Sequence, residues 1–396
     1  MKSKTVFGLA IGWCINSLAF SIVYPFLPIY LHEERKLEMA LVGLIFPAIG
    51  LGSILGPPLA GMLVDRFGRS KLLWYSSCWR GMIFFVLALM TIGSAPFWAF
   101  AVMMGINSIC GSFFQIASDA YLTDITTEAE RPQAYSRIRV GTNVGWALGP
   151  MIGSFMATTP FSLMFGVTGV LCFGSAVLLA RRCPEMPMRH TRPASDFKVA
   201  DMLRHREFML VLVGLSFVLM LLMSQLYSTL SIYATSTVGI SKNWLGIVYS
   251  VNGLTVVSFQ VLVTRILDKL DADYYLRMAL GAFLYTIGYF GMAFACGPGS
   301  MMALVAVLTF GEIIIQPSLY ACVGRMAPPH GRGRYMGTLG LMRGLGFAIG
   351  PYLGALAYQY YASSPVMLWG MLTLPGLLAG FGFIRVWRSR TAARTP

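Results

Sequence analysis

The sequence predicts an all-α integral membrane protein with twelve transmembrane helices arranged as two pseudo-symmetric six-helix bundles. Three observations carry that prediction. The 396 residues are 56% apolar and only 12% charged, with a mean hydropathy of +0.67, far from the composition of an average soluble domain. The apolar residues gather in runs of roughly 20, the length a helix needs to cross about 30 Å of hydrocarbon. A short glycine-proline pattern then occurs twice, once in each half of the chain. Strand-like alternation is missing, which argues against a transmembrane β-barrel.

Twelve runs centre near Ala19, Ile54, Leu87, Met104, Gly149, Val170, Val218, Val251, Tyr285, Thr309, Gly346 and Leu372. The first follows Lys2 and Lys4 and stays apolar to Leu31 with no small-x-small cleavage site, so it reads as a retained helix rather than a secretory signal. The second ends in GMLVDRFGRSK, residues 61–71, which packs Asp65, Arg66, Arg69 and Lys71 into one turn-rich segment. The third carries Arg80. The fifth contains GWALGPMIG, residues 145–153, and the eleventh GFAIGPYLG, residues 346–354; every glycine, the proline and the alanine match. Equivalent helices of the two halves thus share GxxxGPxxG, the mark of an internal duplication. Its small residues let helices approach closely, and its proline weakens the helix locally. Two such halves can rock about a central site.

Between the sixth and seventh runs lies a long, basic, proline-containing connection, RRCPEMPMRHTRPASDFKVADMLRHR. The expected organisation is therefore a first bundle over 1–181, a cytoplasmic linker over 182–206 and a second bundle over 207–396. With both ends in the cytoplasm, nearly all of the 30 lysines and arginines fall on that side, and only Arg35, Lys36 and Lys242 on the other. The positive-inside rule is met in this orientation alone. The net charge of +14 then sets topology and is no nucleic-acid footprint; the partners expected are the lipid bilayer, protons and a small molecule, with the chain acting as a monomer.

Other chemistry finds little support. The seven cysteines are scattered without CxxC spacing and read as small packing residues. The four histidines, His32, His190, His205 and His330, fall in loops or helix ends, so neither a metal centre nor a histidine relay is expected. No GxxxxGK[ST] sequence is present to bind ATP. A membrane enzyme would need several catalytic groups converging near an interface, and deep acids and histidines are scarce.

On these residues the chain resembles the major facilitator superfamily over essentially its whole length. Gly61, Asp65, Arg66, Gly68, Arg69 and Lys71 stand on the marked positions of the family's loop signature GxxxDRxGRxK. Gly145, Gly149, Pro150 and Gly153 resemble the fifth-helix signature of drug and proton antiporters, and VYPFLPIYL and RGRYMGTLGLMRGLGFAIG are similar to the multidrug-exporter branch. The resemblance implies a latch. Asp65 would face the N-terminus of the eleventh helix, where unpaired N–H groups carry partial positive charge, while Arg66 pairs with an acid at the end of the fourth helix, Asp124 first and Asp119 second. Gly61 would allow close approach, and Gly68 a tight turn. The family's antiporters carry an arginine on the fourth helix; here that position is Asn107, which leaves an uncoupled facilitator as an alternative to proton exchange.

Of the 16 acids, only Glu312, in the tenth run, falls at mid-membrane, where a carboxylate must face a cavity or a partner. Arg343 in the eleventh is the available partner, either as a bridge that ties two helices or as part of a site where proton and cargo compete. Arg80 is expected to snorkel or to bond Asp119 or a helix carbonyl. The resemblance implies that helices one, four, seven and ten line the cavity. Asn16, Asn107, Gln115, Gln225 and Gln316 would supply polar contacts, and Tyr24, Phe113, Phe114 and Tyr227 aromatic walls. Such a cleft suits amphipathic organic molecules. The expected function is proton-coupled export in a bacterial inner membrane with no cofactor beyond the proton gradient; the alternative cargo is one defined metabolite, lipid or metallophore.

Overall fold

The computed structural model describes residues 2–93, 95–127, 130–185, 204–270, 272–327 and 332–392, without the side chains of Lys2, Ser3, Asp65, Pro132, 210–212 and 332–334. Among the described residues the chain is helical with no strand. α1 (Lys2–Val23) continues after a turn through the short helical pieces Leu27–Ile29 and Tyr30–Glu34. Then follow α2 (Ile45–Phe67), α3 (Arg69–Ile92), α4 (Phe97–Ile125), α5 (Arg131–Met156) and α6 (Phe161–Arg182). α7 occupies the span Val213–Thr237; α8 (Lys242–Lys269), α9 (Tyr274–Gly291), α10 (Pro298–Met326), α11 (Arg332–Tyr361) and α12 (Pro365–Ala392) complete the chain.

Eleven of these helices are long and apolar enough to cross a membrane. α5 is the exception. It has the length, but Arg131, Arg137, Arg139 and Asn143 hold down its hydropathy. α7 departs from a smooth rod: its helix tightens over Ser224–Tyr227, and Ser228 leaves the helical region at φ −129°, ψ −88°.

The backbone clusters into two compact units, one of Met1–Thr191 with Ser241–Gly253, the other of Arg192–Ile240 with Leu254–Pro396. In the first, α1 packs on α5 and α6, α2 on α4, and α3 on α4 and α6. In the second, α7 packs on α11 and α12, and α9 on α10 and α12. The α1–α5 and α7–α11 pairs are built by the repeated motif. A β-carbon at Gly149 would collide with the hydroxyl of Ser21 on α1, and one at Gly350 with the hydroxyl of Ser224 on α7. Each glycine stripe therefore seats a helix inside its own unit.

The first unit also holds the start of α8. Ser250 Oγ donates to Ala147 O on α5 at 3.1 Å. Lys242 Nζ lies 3.6 Å from Glu34 and 3.9 Å from Glu33, with the Phe161 ring 5.4 Å away. Lys242 and the neighbours of these acids, Arg35 and Lys36, are the cations expected on the non-cytoplasmic side.

Candidate functional site

The charged turn between α2 and α3 folds around Gly68, whose φ of 82° lies in the left-handed region that glycine tolerates without strain. That turn decides which arginine meets Asp124. Arg69, the first residue of α3, forms the ion pair, whereas Arg66, still on α2, is exposed with its guanidinium over the Phe67 ring at 5.7 Å. The expectation that Arg66 pairs with Asp124 is corrected, because reversing the chain at Gly68 turns Arg69, and not Arg66, toward α4. Asp119 has Tyr135 as its neighbour and not Arg66. Ser70 Oγ donates to Cys183 O, Tyr121 OH donates to Pro184 O at 3.1 Å, and Lys71 meets Glu185 at 2.7 Å, so the end of α6 is tied to the same turn. Among the described residues nothing lies within 4 Å of a β-carbon built on Gly61. The side chain of Asp65 and residues 328–331, on which the latch depends, lie outside the described residues.

Deeper in the first unit, Arg80 is only 5% exposed. It neither snorkels nor meets Asp119. Its Nε donates to Asn107 Oδ1 at 3.1 Å, and a terminal nitrogen donates to Asn16 Oδ1 at 2.8 Å. Asn16 Nδ2 in turn donates to Gly12 O at 3.0 Å and to Ser175 Oγ at 2.8 Å. Guanidinium cannot shed its charge at this depth, and two amide oxygens solvate it. A positive charge thus reaches the fourth helix after all, delivered from the third. Asn16 and Asn107, expected to contact cargo, are instead committed to this node. Tyr24 is buried against Phe20 and Phe46, and Phe114 against Trp13.

The second unit has a different node. Glu312 sits at the centre of α10, partly buried, one turn from the equally half-buried Gln316. Buried Tyr285 on α9 has Glu312, Tyr289, Tyr227 and Arg343 as electrostatic neighbours, so α7, α9, α10 and α11 all contribute. Arg343 itself is exposed, its guanidinium 5.8 Å over the Phe347 ring. Gln225 is no cavity group: its amide nitrogen donates to Leu221 O at 2.7 Å and to Gly350 O at 2.8 Å, and its oxygen accepts from Thr229. It repairs the backbone where α7 tightens and fastens α7 to the glycine stripe of α11. Among the expected contact residues, Gln115 is exposed, and Tyr227 and Gln316 are half-buried.

Sequence reasoning missed the roles of Arg80 and Tyr285. A legible signal existed for the first. One arginine and two asparagines stand at mid-run in three apolar segments, and groups that costly find one another.

No cluster of histidine, cysteine or acid suited to a metal ion occurs among the described residues. Residues 9–351 match the family model described as Major Facilitator Superfamily. The uncharacterized MFS-type transporter YqjV of Bacillus subtilis (strain 168) is 25% identical, covering 93% of this chain and 91% of that protein. Multidrug resistance protein 2 of the same organism is 22% identical over 98% and 96% of the two chains. A Na(+), Li(+), K(+)/H(+) antiporter of Planococcus maritimus is also 22% identical, over 95% and 94%. Among solved structures, the nucleoside transporter NupG superposes with a TM-score of 0.76 at 14% identity, covering 97% of this chain and 99% of that one. At such identity the structural likeness speaks for the fold alone.

Proposed function

Because the chain belongs to the major facilitator superfamily, we propose that this multi-pass membrane transporter works by alternating access and exports amphipathic small molecules in exchange for protons. It acts as a monomer in a bacterial inner membrane, with both termini cytoplasmic. One observation carries the proposal. Glu312 is the only acid in the middle of a span among the described residues, and it neighbours the buried Tyr285, which Arg343 also approaches. A carboxylate at that depth is retained for what it can bind. Protonated, it releases a cationic or polar cargo; ionised, it accepts one, and the proton travels the other way. Relatives with multidrug and cation/proton antiporter names support the reading without fixing the cargo.

A second reading rests on Arg80. The first unit holds a fixed positive charge and no mid-span acid among its described residues, which suits an uncoupled facilitator or an exporter of one anionic metabolite. Flux in proteoliposomes under an imposed pH gradient separates the two. Proton exchange requires gradient-driven efflux of a cationic dye that Glu312→Gln abolishes. Efflux indifferent to the gradient in the wild type would sink it.

A further inference from the structure

A cavity of about 630 Å³ opens at one end of the second unit, where α8, α9, α10 and α12 converge. It is independent of the Glu312 node, and nothing proposed above uses it. Its wall carries three guanidinium groups, from Arg277, Arg325 and Arg390, together with Tyr274 and Tyr275.

The described acids at this end are engaged. Asp268 pairs with Arg277 at 2.7 Å, while Arg277 also donates to Ala272 O and Leu267 O, both at 2.8 Å, so every nitrogen of that guanidinium has an acceptor. Asp273 accepts from the backbone N–H of Tyr275 at 2.8 Å and caps α9. Glu207 takes both the Tyr275 hydroxyl and Arg390, each at 2.6 Å. Burial alone would raise the Glu207 carboxyl, but those two donors outweigh it and hold the group below its ordinary value. The remaining described acid of this unit is Glu312, half a membrane away on α10.

Arg325 is different. It is exposed at the cavity, resting on the Tyr274 ring at 4.7 Å, and no carboxylate pairs with it among the described residues. Arg390 has one terminal nitrogen on Glu207 and turns its flat face to Tyr275 at 5.1 Å. The same end of the unit adds Arg265, Lys269 and Arg385. The cavity therefore offers a surplus of N–H donors in a basic surround, beside stacking aromatic rings, at the depth where a helical bundle meets phospholipid headgroups. Basic pockets between helices at that level receive anionic headgroups, and guanidinium matches phosphate oxygens with two parallel bonds.

We propose that this cavity is a binding site for an anionic phosphate group, with Arg325 as its principal ligand, Arg390 as its second, and an anionic phospholipid as its occupant in the membrane. Full-length protein in a neutral detergent is titrated with short-chain phosphatidylglycerol, short-chain phosphatidylcholine or inorganic phosphate while its unfolding temperature is followed. Phosphatidylglycerol should raise that temperature saturably and phosphatidylcholine should not. Arg325→Gln should weaken the response about tenfold or more, the loss expected for one charged hydrogen-bonding partner, and Arg388→Gln, on the outer face of α12, should leave it unchanged. Inorganic phosphate acting as well as the lipid, with the same dependence on Arg325, would place a free anion in the site. Equal responses of wild type and Arg325→Gln, or of the two lipids, would overturn the proposal. Arg325 is exposed with one ring contact, so its replacement leaves the fold in place for the measurement.

Discussion

The two units handle a membrane-embedded charge in opposite ways. In the first, Arg80 is permanently ionised, sealed from solvent, and bonded to the amides of Asn16 and Asn107. In the second, Glu312 is a titratable group, half-buried, and neighbours Tyr285, around which Tyr227, Tyr289 and Arg343 also gather. Both nodes draw on the first, third and fourth helices of their unit. The duplicated scaffold therefore prescribes where a polar cluster can sit and leaves its chemistry open. A fixed charge in an amide cradle stiffens four helices, whereas a carboxyl group beside a phenol can change its state as a proton comes and goes.

The largest expected effect tests the second node. Glu312→Gln should reduce gradient-driven flux at least about tenfold and flatten its dependence on pH, while the protein still inserts and unfolds as the wild type does. Flux that keeps its pH profile in this variant would erase the contrast between the units. The first node should answer in stability instead. Arg80→Met leaves the Asn16 and Asn107 oxygens buried without a donor, at a cost of about 1–3 kcal/mol each, visible as easier chemical unfolding. Arg80→Lys should recover part of it. An Arg80 variant of normal stability but altered cargo selectivity would move the substrate contact into the first unit.

Where the units agree, their variants should agree. Gly149→Val and Gly350→Val each force a side chain into a serine hydroxyl on the partner helix and should destabilise by about 1–3 kcal/mol. A large difference between them would mean that the two stripes have diverged in use. Cysteine chemistry reads the proposed orientation. Cys296 is the exposed thiol, whereas Cys183 is buried and its thiol pushed up to about 12 by that burial. A membrane-impermeant maleimide should label intact cells at Cys296 alone, and protection of that residue would invert the topology. The smallest effect concerns Glu207. Its carboxyl titrates below the ordinary 4.5 in the folded protein, so the unfolded state binds a proton first as pH falls. The pair's contribution is whole above pH 4.5 and fades as pH drops through the folded value; Glu207→Gln should remove this acid sensitivity by a few tenths of a kcal/mol, as exposed pairs do.

Much of the fold is legible in the sequence. Run length and hydropathy gave the helices, and failed only in degree at α5, where the arginines of its opening turns dilute an otherwise spanning helix. The GxxxGPxxG repeat announced two similar units. Its use was not legible: glycine in a membrane helix says that something approaches, and only packing shows that α1 and α7 are what approach. Glu312 stood out because a mid-span acid is rare. Gln225 and Asn16 stood out because the resemblance puts their helices along the cavity, yet their amides are consumed by backbone and side-chain partners on neighbouring helices.

Composition and hydropathy by themselves determined that this chain is a helical membrane protein, because the cost of exposing backbone and charge to hydrocarbon acts on every residue in order along the chain. The partner of each polar group was decided by the tertiary structure alone. Arg69 rather than Arg66 reaches Asp124 because one glycine reverses the chain, and Arg80 finds amides rather than an acid because three helices bring them within 3.1 Å. A hydrogen bond is satisfied by proximity in space, which adjacency in sequence does not encode.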